Sequence, residues 1–160
     1  MKSETIFRLY STWRGRWGDE QGSEIVIEAN FDNPANWPFY VKRYNIAFDD
    51  DTYEEIKEEI KSVRISKAIF DKIKSSIANN KALEYCEEEI ENEVRDGTCE
   101  SFIFSCDKFT KNIGGLSILS CGYFESEDLE PEDRTANYVV RKAYDDIIAI
   151  LESAGIDIYA

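Results

Sequence analysis

Carboxylates dominate the side chains of this sequence that could do chemistry. The 160 residues include 33 Asp and Glu, 19 Lys and Arg and no histidine, which gives a formal net charge of −14. Without histidine, the chain lacks the commonest general base near neutral pH and every Ser-His-Asp or Cys-His arrangement. A catalytic pair of carboxylates is the alternative, but among 33 acids some close pair arises by chance. We therefore expect a protein that is not an enzyme.

Motifs for cofactors and metals are missing from the sequence. It contains no GxGxxG, GxxxxGK[ST], GxSxG or HExxH motif. The run Asp49-Asp50-Asp51 lacks the downstream glycine and glutamate of an EF-hand loop. The sequence thus predicts neither a cofactor nor a metal.

Four cysteines have spacings that match no metal-binding or redox signature. Cys121, followed by a glycine, is a candidate nucleophile, but no histidine is present to lower its pKa. We expect four buried, reduced thiols: Cys86, Cys99, Cys106 and Cys121.

The sequence also lacks the roughly 18 to 20 consecutive apolar residues of a membrane span and an N-terminal signal core, so we expect a cytoplasmic protein.

The negative charge is concentrated in three segments. Residues 48–60 have a net charge of −6, residues 84–100 of −7 and residues 125–133 of −6. If they converge, they form one face with a strong negative field, and the alternative is three separately solvated surfaces. The carboxylates predicted to contact a partner are Asp49, Asp50, Asp51, Glu54, Glu58, Glu87, Glu88 and Glu91.

A chain this acidic repels nucleic acid phosphates and anionic membranes, so we expect direct binding to neither. The predicted partner is another protein with a basic surface. The leading hypothesis is an inhibitor or immunity-type protein that occludes such a surface, for example one that binds nucleic acid, and mimicry of nucleic acid is a weaker variant. The alternatives are a small-ligand-binding protein or carboxylate-dependent enzyme with a cleft at the sheet end, and a structural subunit or homo-oligomer.

Arginines and aromatic residues alternate near the N-terminus, and these residue types are enriched at binding hot spots. Glycines after Trp13 predict a hairpin loop that presents Arg14, Arg16 and Trp17 to a partner. We expect Trp13 itself to complete the core. Trp37, in a second loop, either extends this patch or plugs the end of the sheet.

Hydrophobic periodicity predicts the order of the elements. The strands are expected at residues 5–13, 24–29, 39–48, 101–106 and 116–124, because their apolar residues alternate or are β-branched and aromatic. Helices are expected at residues 52–63, 66–80, 83–94 and 131–154, where apolar residues recur at steps of three and four and Ser66 and Pro131 suit helix starts. The alternative for residues 83–94 is a hairpin turning at Asp96-Gly97.

Segregated runs of strands and helices predict an α+β fold. We expect an antiparallel sheet of about five strands, with two to four helices packed mainly on one face. Because the apolar fraction of 42% suffices for one core, residues 1–160 are expected to form a single acidic domain.

Overall fold

The computed structural model describes residues 3–14, 19–32, 37–92, 97–124 and 135–159. These residues contain seven strands and four helices. In chain order they are β1 (Ser3–Arg14), β2 (Glu20–Asn30), β3 (Phe39–Phe48), β4 (Glu55–Arg64), α1 (Lys67–Ala78), α2 (Lys81–Glu84), β5 (Glu89–Ile90), β6 (Cys99–Ser105), β7 (Thr110–Leu116), α3 (Ile118–Phe124) and α4 (Ala136–Ser153).

The strands form one sheet in the order β4-β3-β2-β1-β6-β7-β5. Of the described strand pairs, all are antiparallel except β5 with β7. The mixed α+β class is therefore confirmed, while the expected number of about five strands is too low. The strands β4 and β5 form the two edges of the sheet.

One face of the sheet packs against helices α1 and α4 and forms the core. On β1, the alternate residues Phe7 and Leu9 point to this inner face, and on β2 so do Ile25 and Ile27. Five apolar residues of α4 at helical spacing are buried against them, as the sequence predicts: Val140, Ala143, Tyr144, Ile147 and Leu151. Strand residues of the other parity, including Arg8, Tyr10 and Glu24, lie on the opposite side, called here the outer face.

The ends of two helices also match the sequence prediction. Helix α1 begins after Ser66, whose Oγ accepts the backbone N–H of Ile69 at 3.1 Å. The chain turns after α4 at Gly155, with a φ of 78°. Pro131, predicted in the first turn of this helix, lies outside the described residues, and α4 begins after Thr135. Of the helices in the described part of the chain, none is long and apolar enough to cross a bilayer.

The prediction of a helix at residues 52–63 is wrong, because this segment forms a turn followed by strand β4. Its apolar residues Ile56, Ile60 and Val63 have helical spacing, but β4 is an edge strand that is mostly exposed. An exposed edge strand needs few apolar residues, so hydrophobic periodicity does not reveal it. Pairing with β3 over nine residue pairs decides the structure instead.

Two further predictions fail in the second half of the chain. Of the helix expected at residues 83–94, only residues 83 and 84 are helical, as the end of the single-turn helix α2. Strand β5 follows. The strand expected at residues 116–124 is helix α3, because Ser117 adopts a φ of 51° and turns the chain after β7. The loop containing Gly114 and Gly115 instead forms β7, which pairs antiparallel with β6.

The cysteines are also less buried than expected. Cys86 is buried, but Cys99 is exposed, and Cys106 and Cys121 are partly exposed. Cys99 begins β6, where its side chain lies on the outer face, and Cys121 lies on α3 rather than on a strand. All four thiols are free.

Candidate functional site

A group of carboxylates without ion pairs in the described residues lies where two β-hairpins turn at one end of the sheet. Strand β1 ends and β2 begins there, and β3 ends beside the start of β2, with Gln21 opposite Ala47. We call residues 13–14, 19–22 and 47–58 the hairpin end. It contains a groove of about 440 Å³ whose lining includes Trp13, Glu20 and Asp50.

The turn between β3 and β4 is built around Asp49. Its Oδ1 accepts the backbone N–H groups of Asp51 at 2.9 Å and Thr52 at 3.0 Å. Its own backbone N–H donates to the carbonyl of Glu54 at 2.9 Å. The N–H of Thr52, followed by that of Asp51, lowers the pKa of Asp49 below its ordinary value. Asp49 therefore remains ionised and shapes the turn that presents its neighbours.

Five carboxylates of this turn and of β4 are exposed and form no ion pair with any described residue: Asp50, Asp51, Glu54, Glu55 and Glu58. By contrast, Glu24, Glu28 and Glu59, which lie on the outer face, each pair with Arg or Lys. The hairpin end therefore presents negative charge that nothing in the described part of the chain neutralises.

Exposed apolar side chains lie among these carboxylates. Tyr53 is 77% exposed and Ile56 55% exposed. Trp13 is 37% exposed, so the expectation that it completes the core is wrong. Its inward-facing neighbours Phe7 and Leu9 are covered by helices, but β1 extends beyond that layer, and Trp13 lies at the projecting end. An acidic surface with an apolar component is thus present.

The structure places the predicted aromatic and basic residues at two different ends of the sheet. Arg14 is exposed at the hairpin end, opposite Glu20 in the β1–β2 register. Arg16 and Trp17 lie outside the described residues. Trp37 precedes β3 at the other end, where its Nε1 donates to the carbonyl of Ile65 at 3.1 Å. Trp37 therefore anchors the β2–β3 connection beside the end of β4 and does not extend the patch at Arg14.

The second acidic group lies at the opposite edge of the sheet from β4. Glu87, Glu88 and Glu91 are exposed around β5, and Glu87 and Glu91 line a separate groove of about 670 Å³. Because five strands lie between β4 and β5, the two groups are roughly 29 Å apart across the sheet. The structure thus does not join them into one face, and residues 125–133, the third acidic segment, lie outside the described residues.

An ion-pair network on the outer face was not found by sequence reasoning. Glu24 is only 3% exposed, and its carboxylate accepts Arg8 Nε at 2.8 Å and Lys57 Nζ at 2.9 Å. The Arg8 guanidinium lies 5.1 Å from the ring centroid of Tyr10, and Lys57 Nζ lies 5.1 Å from that of Tyr44. Burial raises the pKa of both tyrosines.

This network joins residues from four neighbouring strands, β1 to β4. It contains two cations and one carboxylate, so it stabilises the strand pairing and adds no negative charge to the surface. The available signal in the sequence was the shared parity of Arg8 and Tyr10 on β1, but their partners follow only from long-range pairing.

Glu100, on β6, is a buried carboxyl group. It is 9% exposed, and its Oε1 accepts the backbone N–H of Leu119 at the start of α3 at 3.0 Å. Burial raises its pKa, while the backbone N–H groups of Leu119 and Ile118 oppose the rise. Glu100 does not line the groove at the hairpin end or the groove beside β5. Its geometry is that of a helix-capping residue.

Within the described ranges, no three His, Cys, Asp or Glu side chains lie close enough together to hold a metal ion. Compared with known proteins, the chain matches no family model, and no curated protein matches it significantly.

Proposed function

We propose that this chain is a protein-binding inhibitor of the immunity type and that its hairpin end occludes a basic surface of another protein. The observation that supports this most directly is the group of exposed carboxylates, Asp50, Asp51, Glu54, Glu55 and Glu58, that form no ion pair in the described residues. Like charges held together repel one another, and a basic partner would relieve that repulsion.

Electrostatics explains why this end is favoured over the outer face. Glu24, Glu28 and Glu59 are already paired with Arg8, Lys42 and Lys57, so a partner would have to replace existing contacts there. At the hairpin end a cationic partner would form new pairs without breaking old ones. Such complementarity raises the association rate and makes it dependent on salt.

Apolar side chains would supply the contact area that charge alone does not. Trp13, Tyr53 and Ile56 are exposed among the carboxylates, and aromatic side chains dominate the energetics of many interfaces. Arg14 is exposed beside them, and Arg16 and Trp17 follow it in the chain. A partner surface with basic residues around an apolar patch fits this arrangement better than a purely basic groove, which favours occlusion over mimicry of nucleic acid.

The experiment is to capture partners from the host of origin with the immobilised chain and to purify the one retained. Its affinity is then measured at low and high salt for the native chain and for the triple variant Asp50→Lys, Asp51→Lys, Glu54→Lys. We expect the variant to bind at least tenfold more weakly and to lose most of the salt dependence. Asp49 is left unchanged because it shapes the turn.

The matched control reverses three charges at the far edge, with Glu87→Lys, Glu88→Lys and Glu91→Lys. It changes the net charge by the same amount, so a general electrostatic effect would weaken both variants equally. If the affinity for the partner is unchanged in the hairpin variant, the proposal is wrong. If only the far-edge variant binds weakly, the surface beside β5 is the binding site.

The groove at the hairpin end supports a second candidate function, the binding of a small ligand. Its lining combines Asp19, Glu20 and Asp50 with the indole of Trp13, a combination that suits an organic cation. Titration of the purified chain with polyamines, monitored by Trp13 fluorescence in the native chain and in Trp13→Phe, tests this candidate. Saturable binding that Asp50→Asn abolishes would favour it over the protein partner.

A further inference from the structure

The free edge of strand β4 is a long template for strand pairing. β4 runs over ten residues, Glu55–Arg64, and its only described strand partner is β3. Residues 55–60 are all exposed, including Ile56 and Ile60. We propose that β4 pairs antiparallel with β4 of a second copy of this chain, in the register that places Glu55 opposite Arg64 of that copy. The two sheets would then continue into one.

The order of charges along β4 fits this register. The strand reads E-I-K-E-E-I-K-S-V-R, with all of its acids in the first half, which also contains Lys57, and with Lys61 and Arg64 in the second half. With Glu55 opposite Arg64, Glu58 lies opposite Lys61 and Ile56 opposite Val63. Because each pair occurs twice in a symmetric dimer, four pairs of opposite charges and no pair of like charges result.

Because of a β-bulge in β4, the proposed register also pairs side chains that lie on the same face of the sheet. In the pairing with β3, Arg43 lies opposite Lys61 and Tyr44 opposite Glu59, so Ile60 is the extra residue. This residue shifts the alternation, which leaves 56, 58, 61 and 63 on the inner face and 55, 57, 59, 62 and 64 on the outer face. In the proposed register every pair outside the bulge joins residues of the same face, as an antiparallel ladder requires.

Neighbouring registers fit less well. A shift of two residues in one direction places Glu58 opposite Glu59, and a shift of two in the other places Lys57 opposite Arg64, so like charges meet in both. Shifts by one residue pair inner-face with outer-face side chains. The proposed register also overlaps all ten residues of both strands.

Two existing contacts, one of Lys61 and one of Lys57, are compatible with the dimer. Arg64, whose guanidinium lies 6.0 Å from the ring centroid of Trp37, would have to reach Glu55 of the other copy from that position. Lys61 Nζ donates to the backbone carbonyl of Asp157. An ammonium group has three N–H donors, so the bond to Asp157 does not by itself prevent Lys61 from pairing with Glu58 of the other copy. Lys57 remains with Glu24, since it lies opposite the uncharged Ser62 in the dimer. The dimer would use Glu55, Ile56 and Glu58, which also belong to the surface of the proposed function. Asp50, Asp51 and Glu54, which are changed in the test of that function, lie beyond the ladder, so the two proposals can fail separately.

Sedimentation equilibrium of the native chain up to about 1 mM tests for the dimer. We expect the mass to rise with concentration toward twice the 18.5 kDa of one chain. The variant Glu55→Arg places arginine opposite Arg64 at both ends of the ladder and should weaken dimerisation about tenfold or more. The double variant Glu55→Arg, Arg64→Glu exchanges the charges and should restore the affinity.

The matched control is Glu54→Arg, which changes the net charge equally but lies one residue outside the ladder, and it should dimerise at least as well as the native chain. Far-ultraviolet circular dichroism establishes that each variant is folded. Hydrogen exchange supplies a second readout, since backbone amides of 55–64 that face outward should be protected only at concentrations where the dimer forms.

A chain that stays monomeric up to the highest concentration overturns the proposal. So does a dimer whose β4 amides exchange as fast as in the monomer, since it would use another surface. The register is wrong if Glu55→Arg weakens the dimer and the double variant does not restore it. If the native chain is monomeric and its β4 amides become protected only by a different protein, the edge accepts that partner's strand instead of a second copy.

Discussion

Glu24 and Lys57 are 33 positions apart in the chain, yet Lys57 Nζ lies 2.9 Å from Glu24 Oε1 on the outer face of the sheet. Glu24 lies on β2 and Lys57 on β4, with β3 between them. Arg8, on the other side of Glu24, contacts its second carboxylate oxygen. A nearly buried carboxylate in this chain is therefore satisfied by two cations from different strands.

Replacing Glu24 with glutamine should destabilise the fold. The variant Glu24→Gln leaves two cations without their counter-charge, but Arg8 and Lys57 are 34% and 38% exposed and can be rehydrated in part. We expect the free energy of unfolding to fall by about 1–3 kcal/mol, measured by urea denaturation. The matched control is Glu28→Gln, because Lys42 is the one ion-pair partner of this carboxylate among the described residues, and the change should cost less than about 1 kcal/mol. Equal losses would contradict this account.

Glu100 should make a pH-dependent contribution to stability. Because burial raises its pKa in the folded state, the folded protein keeps a proton that the unfolded chain has lost. Its contribution to stability therefore falls as the pH rises from the ordinary carboxylate pKa through the raised value. Glu100→Gln does not titrate but keeps an oxygen that accepts the N–H of Leu119.

We therefore expect the stability of Glu100→Gln relative to the native chain to increase between about pH 4 and pH 7. Urea unfolding of both proteins at several pH values across this range measures the difference between their free energies of unfolding. Taking the difference removes the contributions of the other carboxylates, which both proteins share. A difference that does not change with pH would show that Glu100 titrates alike in the folded and unfolded states.

Gly115 should be intolerant of a side chain. A Cβ built at this position lies 2.3 Å from the carbonyl oxygen of Ile90, so Gly115→Ala would separate β5 from β7. We expect thermal unfolding to reveal a loss of about 1–3 kcal/mol. Gly114→Ala is the control, because its Cβ would lie 3.6 Å from the carbonyl oxygen of Glu100, an ordinary contact. Similar losses for the two variants would show that crowding at Ile90 is not the cause.

Ser66 should stabilise α1 as its N-cap. Its Oγ accepts the N–H of Ile69, so Ser66→Ala should lower the free energy of unfolding by about 1 kcal/mol. Thr135 occupies the corresponding position of α4, but its side chain forms no capping hydrogen bond. Thr135→Ala therefore serves as the control in the same denaturation experiment, and a loss there as large as at Ser66 would contradict the capping argument.

The elements predicted correctly are those with strong local patterns. Strands β1 to β3 are rich in β-branched and aromatic residues, α1 begins at a capping serine, and the apolar stripe of α4 is continuous over about three turns. In each, the residue types or their spacing within the element itself contain the information.

The failures lie where packing is one-sided or a single residue turns the chain. β4 is exposed at an edge and its isoleucines happen to have helical spacing, while β7 contains Gly115, whose missing side chain permits the close approach of β5. Ser117, with its positive φ, ends β7 and leads into α3. None of these causes is visible in a local hydrophobic pattern.

The candidate site was predicted in part. The acidity of residues 49–58 and the exposure of Arg14 are properties of the local sequence and were anticipated. That β1–β2 and β3–β4 turn side by side, so that Trp13 and Asp50 line one groove, depends on strand order. Strand order also separates Glu87 and Glu91 from Asp50, which the sequence left open.

By itself, the sequence determined the mixed α+β class and the concentration of negative charge in short segments. It also determined that no histidine of this chain can take part in a mechanism. Composition and short-range periodicity suffice for these properties, because they do not depend on which strands pair. Only the tertiary structure decided which carboxylates are neutralised and which remain exposed. Ion pairs such as Glu24 with Lys57 form between residues distant in the chain, and their geometry exists only after the sheet is assembled.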